Sequence, residues 1–323
     1  MPHPLLSNLN TDKIRQSIIG LVLGLVGIAI ISPFMGGSNA PQQIKFDSEI
    51  IKISQPEKPE TIAKQPNIAT NQLDKNANLY PYFAMHKSAL SQKQVDAITN
   101  NTPRLTVIVN HVGQSRSMTA RILEKLSQDI TIGLSPYIRN HNEVTTQIHD
   151  YGFETWMDLS AITLDTKTDY GSLALTPTNN FDRNIKLLSD QLKNKDKLSG
   201  VILPNQSLIT ETPRLWQDIV TDLFAQGYGI LDNTRGITKP ALFFHDEKRA
   251  PYIRGDQTFT DELSLSELED VLATTRKNVL DQGNMIITIP ISTPAALDIL
   301  SRWLESLREE NITLLPLSAQ AKL

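Results

Sequence analysis

Three side chains of the kind that hold a metal or move a proton, His111, Asp158 and Asp232, stand at or just beyond the C-terminal ends of β-branched, apolar runs. That end of a β/α fold is where active sites assemble. A carboxylate and imidazole set there can bind zinc and activate water, provided three ligands converge. Read without function, His111 is an exposed loop residue, Asp158 a polar strand end and Asp232 the start of a turn or cap. His141 and His149 share a weak helical pattern but lie only loosely on one face, and they read as surface residues. His245-Asp246-Glu247-Lys248 reads as solvated charge. No other chemistry is offered: the chain has no cysteine, which excludes disulfides, thiolate metal sites and cysteine nucleophiles. It also lacks a Gly-x-Ser-x-Gly elbow, a phosphate loop, a His-Glu-x-x-His helix and a Gly-x-Gly-x-x-Gly turn.

The elements that must position these residues begin at Arg104, where β-branched runs start to alternate with helical patterns, the signature of β/α units on a parallel sheet. Strands are expected at 105–109, 130–134, 153–159, 201–203, 228–231, 285–289 and 312–315. Helices are expected at 118–126, 141–151, 181–192, 215–224, 265–280 and 295–307, with Ser264 and Glu267 spaced for a capping box. About seven strands in roughly 220 residues is slightly below the usual size of a (β/α) barrel. Gly113, Gly152, Gly200, Gly227 and Gly283 read as turn or cap glycines.

The remainder of the chain has another texture. From Ile18 to Ile31 every residue is Ile, Leu, Val, Ala or Gly, and no charge stands between Arg15 and Lys45. A water-soluble helix needs a polar face, so this stretch is expected to be a transmembrane signal-anchor over 17–35. Ser38-Asn39-Ala40 resembles a cleavage site, but Pro41 disfavours cleavage. Lys13 and Arg15 are expected to hold residues 1–16 in the cytoplasm, which puts the rest in the periplasm of a bacterial inner-membrane protein. Residues 36–103 are rich in Gln, Asn, Lys, Pro and Ser and are expected to form a disordered tether. Two pieces stand out within it: Leu79–Met85 is an apolar island able to dock on the domain, and 91–98 is a candidate short helix. A net charge of −4 and a pI near 5.9 argue against nucleic acid as partner.

In this order the segments of Arg104–Ser318 resemble the divergent polysaccharide deacetylases of bacterial envelopes. Val107-Ile108-Val109-Asn110-His111-Val112-Gly113 stands where that family has a strand running into Ile-Asp-Asp-Leu-Gly. Ile130–Tyr137 is similar to its second strand and Ser-Pro-Tyr turn, with Glu143 at the family's spacing. His149–Leu159 resembles its Ala-Gly-His-Glu segment and third strand, and Ile230-Leu231-Asp232-Asn233-Thr234 its Leu-Asp-Ser-x-Thr strand end. Met285 through Leu297 and Ile312 to Ser318 resemble its last strand, helix and Leu-Val-Pro-Val-Ser ending. The resemblance implies a distorted (β/α) barrel and, in active members, removal of an acetyl group from an amino sugar by metal-bound water, with an acidic base and a second acid.

The sequence departs from that pattern at the chemistry. The acidic pair is Asn110-His111, the His-Met-Gly-Ser stretch is Pro204-Asn205-Gln206-Ser207, the Gly-His-Pro is Thr288-Ile289-Pro290, and a Gly-His is Gly152-Phe153. The resemblance therefore implies a groove lined by Asn110, His111, Ser135, Asp158 and Asp232, with no catalytic residue assigned and no metal or other cofactor expected. The function expected is that of a membrane-anchored periplasmic protein that binds envelope glycan or peptidoglycan without hydrolysing it. Two alternatives stand beside it: an active deacetylase with a rearranged divalent-metal site, such as zinc, around His111, Asp158 and Asp232, and an adaptor whose barrel surface binds an envelope protein.

Overall fold

A computed structural model describes residues 81–165, 168–193, 197–234, 251–260 and 263–321. The expected anchor and the tether up to residue 80 lie outside the described residues, as does His245-Asp246-Glu247-Lys248. Among the described residues no helix is long and apolar enough to cross a membrane.

The chain runs α1 (Pro81–His86), α2 (Gln92–Thr99), β1 (Arg104–Val112), α3 (Arg116–Lys125), β2 (Thr131–Leu134), α4 (His141–Asp150), β3 (Glu154–Asp158), α5 (Phe181–Leu192) and β4 (Gly200–Leu203). It continues with α6 (Pro213–Ala225), β5 (Gly229–Asp232), β6 (Tyr252–Arg254), β7 (Gln257–Thr258), α7 (Leu265–Gln282), β8 (Asn284–Pro290), α8 (Pro294–Glu309) and β9 (Thr313–Leu314). The strands form one sheet in the order β6-β5-β4-β3-β2-β1-β8-β7, with β9 also on β1, and every pairing is parallel. Its two ends are successive pieces of one segment, 252–258: Gly255 donates to the carbonyl of Asp232 and Asp256 to that of Ile286, both at 2.9 Å. A sheet whose opposite ends pair with one short segment must curl round on itself. That gives the curled, barrel-like α/β fold expected from the sequence. The segment 252–258 has no counterpart among the expected strands, because Tyr252-Ile253-Arg254 and Gln257-Thr258 are too short and too polar to show a period of two.

Alternation sorts the side chains into two cores. Val107, Val109, Ile132, Met157, Val201, Ile230, Ile287 and Ile289 face outward against the helices, whose apolar stripes (Ile122 and Leu123, Leu187 and Leu188, Ile219 and Leu223, Leu297, Leu300 and Leu304) cover them. Ile108, Trp156, Ile202, Leu231, Ile253 and Ile286 face inward and fill the curl. The indole of Trp156 fits because its neighbours lack side chains: a β-carbon on Gly200 would lie 2.4 Å from the Trp156 ring, and one on Gly229 2.7 Å.

Below Trp156 the interior is stoppered by residues the composition assigned to the tether. Phe83 is 1% exposed and meets Trp156 edge to face, with ring centroids 6.2 Å apart. The buried Glu154 carboxylate accepts the amides of Ser88 and Ser318 and the indole N–H of Trp156, all within 2.9 Å. Gln94 on α2 is buried and donates to the Leu314 carbonyl and to Asp129. The folded domain therefore starts by residue 81 rather than at 104. Polarity averaged over 36–103 hides the correction, since two or three anchoring side chains suffice to order a segment when each enters a prepared socket. Among the described residues of that segment, the C-terminal part of the apolar island and the short helix are folded onto the domain. Phe83→Ala is expected to cost about 3–5 kcal/mol in urea unfolding of the full-length chain. A loss below about 1 kcal/mol would show that α1 merely rests on the barrel.

Candidate functional site

Two residues above the apolar fill, the inward positions turn polar. Counting on by two from Ile108, Trp156, Leu231 and Ile286 reaches Asn110, Asp158, Asn233 and Thr288, which share the C-terminal mouth of the barrel. Their convergence depends on glycine. A β-carbon on Gly133, in β2, would stand 2.6 Å from Oδ1 of Asp158 and 2.9 Å from Cα of Asn110, so the carboxylate from β3 reaches over β2 towards β1 through the space left by that hydrogen. Gly255 does the same for Asn233, whose Oδ1 would be 2.1 Å from an added β-carbon. Asn233 and Thr288 are both buried and bond each other at 3.1 Å.

Asp158 uses its reach to hold the backbone. Its Oδ2 accepts the amide N–H of His111 at 2.6 Å. His111 sits at φ 59°, in the left-handed region, where the pairing of β1 with β2 shifts between Val109 and Val112. Such irregularities re-aim a side chain at a strand end. Here they turn the His111 imidazole to the rim, with its side chain 48% exposed and Nδ1 3.6 Å from the same carboxylate oxygen. Asn110 Oδ1 is buried without a hydrogen-bond partner.

Of the five residues implied for the groove, the structure brings Asn110, His111 and Asp158 together. Ser135 is close by but buried; its hydroxyl accepts the Gln114 side-chain amide at 3.1 Å and the Tyr137 backbone N–H at 3.3 Å, so it shapes the rim. Asp232 is the correction. Leu231 and Asn233 face inward, so alternation turns Asp232 outward, beneath α6. There it accepts from Tyr252 Oη at 2.6 Å and from the Thr234 amide at 2.8 Å, with the Thr234 hydroxyl on the same oxygen as that amide. It caps a turn. Burial first, then the adjacent Asp232 carboxylate and the bond to it, push the Tyr252 hydroxyl well above its ordinary value; Trp216 and Arg254 oppose this. Asn233 and Thr288 were missed as site residues, although counting by two from Leu231 and Ile286 would have found them.

This donor set does not fit a zinc ion. Asp158 and His111 are one carboxylate and one imidazole, Asp232 faces away, and Pro204 and Ile289, which the resemblance sets against two further imidazoles, carry no ligand atom. Among the described residues no three His, Asp or Glu side chains converge. His141 and His149 lie near opposite ends of α4, about 12 Å apart along its axis, and His149 pairs at 3.8 Å with Asp150 at the surface. Glu143 is exposed and faces Arg116 at 3.3 Å.

Two outcomes test this geometry. Gly133→Ala must displace the Asp158 carboxylate or the β1 backbone, and a stability loss of about 1–3 kcal/mol by chemical denaturation is expected; a neutral substitution would mean that nothing is held across β2. Because the Tyr252 hydroxyl is raised in the folded state, its contribution is whole below the unfolded value of about 10 and is lost as pH climbs above that. The unfolding midpoint of the wild type is therefore expected to fall more steeply above about pH 10 than that of Tyr252→Phe, and parallel curves would contradict the assignment.

A family model and a solved structure agree with the fold. The family model described as divergent polysaccharide deacetylase matches residues 107–321. An uncharacterised protein of Agrobacterium tumefaciens C58 superposes with a TM-score of 0.65 at 14% identity, covering 74% of this chain and 94% of its own. A putative cellobiose-phosphate cleavage protein of Enterococcus faecalis V583 gives a TM-score of 0.49 at 12% identity, over 68% and 99% of the two chains. No functionally curated protein matches. With the family model covering the curled sheet from β1 to the C-terminal turn, the chain belongs to the divergent polysaccharide deacetylase family.

Proposed function

We propose that the domain binds a glycan strand over the mouth of the barrel without deacetylating it, as a periplasmic domain tethered to the bacterial inner membrane by residues 17–35. The observation that carries the reading is the replacement of an acid–base and ligand set by a neutral hydrogen-bonding one: Asn110, Asn233 and Thr288 share the mouth with a carboxylate, Asp158, that holds the backbone of His111. An amide has no proton to take or give at neutral pH, so Asn110 cannot act as general base. Its amide is a neutral hydrogen-bonding group in place of an acid, with Oδ1 buried and unmet just inside the mouth. The exposed rim residues His111 and Gln114 add further polar contacts at the same edge. Envelope glycan, including peptidoglycan, is the class that the family membership favours.

One feature favours a second reading. His111 and Asp158 stand as an imidazole–carboxylate pair at the mouth, two of the ligand types that an active deacetylase with a rearranged metal site would use.

The full-length chain, loaded with zinc and desalted, is expected to carry far less than one metal per chain and to release no acetate from oligomers of N-acetylglucosamine, while binding those oligomers in calorimetry. Near-stoichiometric zinc that disappears in His111→Ala, together with acetate release, would establish the hydrolase instead. Absence of sugar binding with a stoichiometric envelope protein co-purifying would replace both by an adaptor role. Because the native chain has no cysteine, a single Leu323→Cys substitution tests topology: a membrane-impermeant maleimide is expected to label it from the periplasmic side of intact inner membranes, and labelling from the cytoplasmic side only would reverse the orientation.

A further inference from the structure

The rim carries an aromatic ring whose anchoring exceeds what a loop contact needs. Tyr137, in the turn after β2, is 42% exposed. Its hydroxyl is nevertheless fully engaged inside the protein: it donates to the Tyr170 carbonyl at 2.5 Å, lies 3.1 Å from Ser160 Oγ and accepts the Leu173 amide at 3.3 Å. On one side the ring lies against Gly171, at φ 70°, where a β-carbon would come within 2.7 Å of the ring and the hydroxyl. What Tyr137 offers to solvent is therefore ring surface and no free polar group.

The partners that fix the ring are themselves fixed. The side-chain amide of Gln191, buried on α5, bonds both the N–H and the C=O of Ser160 and the carbonyl of Leu173, all within 3.0 Å. Asn184, also buried on α5, does the same for Thr176. At its backbone end Tyr137 donates to Ser135, which also receives Gln114 from the loop that follows His111. Ser160 is two residues beyond Asp158. The ring thus stands among the loops that follow β1, β2 and β3, the edge of the mouth where His111 and Asp158 meet.

We propose that Tyr137 is the stacking platform of the glycan site: the apolar C–H face of a pyranose ring lies on its exposed face while hydroxyls turn toward the exposed rim residues His111 and Gln114. This inference rests on the glycan-binding reading and deepens it by naming the surface that recognises the sugar ring. The electron-rich aromatic face attracts the slightly positive C–H edges of a sugar. Tyrosine supplies such area at low entropic cost, and here the rotamer is locked before binding. Ligands of this class are β-linked oligosaccharides, whose equatorial substituents leave both ring faces rich in C–H. Ser135, Gln191 and Gly171 act through Tyr137 as positioning residues.

The test is calorimetric titration of the full-length chain with tetramers of β-1,4-linked N-acetylglucosamine and of β-1,4-linked glucose, using wild type, Tyr137→Phe and Tyr137→Leu, with unfolding midpoints measured alongside. Tyr137→Phe keeps the ring and is expected to bind within about threefold of wild type, and Tyr137→Leu to bind at least about tenfold more weakly while folded. The sugar C–H proton resonances are expected to move upfield on binding to wild type and not on mixing with Tyr137→Leu. A Tyr137→Leu protein that binds like wild type overturns the platform and leaves the glycan reading intact. So does a Tyr137→Phe protein that loses as much affinity as Tyr137→Leu, since the hydroxyl would then be only a strut for the loop. Should Tyr137→Leu fail to fold, the wild-type spectra decide, and unshifted sugar protons in the complex overturn the platform. If wild type binds neither tetramer, the glycan reading falls and the platform with it.

Discussion

Asp158 can hold the backbone of β1 only because β2, the strand between them, presents a bare Gly133 at that level. The bond is a charged acceptor on a backbone donor in a nearly dry position, a type that contributes about 1.5–3 kcal/mol. A non-glycine residue in the left-handed region costs about 1–3 kcal/mol. The two magnitudes balance, so the carboxylate is enough to keep His111 at φ 59° and β1 out of register beyond Val109. Everything distinctive at the mouth follows from that balance: the outward turn of the imidazole, the inward place of Asn110 and the loop that carries Gln114 to Ser135. At this mouth the carboxylate holds the backbone of β1.

The interior is layered in a way that assigns different work to its two ends. At the base, Glu154, Phe83 and the C-terminal turn at Leu317–Gln320 close the curl with saturated hydrogen bonds and aromatic contact. In the middle, Trp156 and its aliphatic neighbours exclude water. At the top the side chains become amides, a hydroxyl and one carboxylate. A buried carboxylate that accepts from Ser88, Trp156 and both the amide and the hydroxyl of Ser318 is a structural clamp, whereas the upper layer holds an acceptor, Asn110 Oδ1, that the protein leaves unmet. The base is thus closed by hydrogen bonds and aromatic contact, while the upper layer keeps an unmet acceptor, and the proposed recognition is assigned to that upper end.

How much of this was legible in the sequence depends on what each feature is made of. Long periodic elements were plain: the helix over 181–192 and the capping box at Ser264 and Glu267 appear as read, because their signals are local and repeated. The segment 252–258 was not, since its pairing with both β5 and β8 is a property of closure and leaves no mark on its own composition. Phe83 was visible as part of an apolar island, but the socket it fills is made by glycines at 200 and 229, more than a hundred residues away in the chain. Asn110, His111 and Asp158 were recoverable as strand-end residues. Asp232 was misplaced because being at a strand end says nothing about which face a side chain takes. Counting by two from Leu231 decides that, and it selects Asn233 instead.

The amide at position 110 bears on whether the fold has merely lost a function. Leaving a buried acceptor unmet costs about 1–3 kcal/mol, and an apolar residue there would avoid the cost while extending the core formed by Ile108 and Trp156. The chain instead keeps a polar side chain beside the mouth, with the interior behind it closed and the rim ring of Tyr137 held still by buried amides on α5. Together at one edge of the barrel they place fixed hydrogen-bonding groups beside a fixed apolar face, and the proposed glycan recognition rests on that combination.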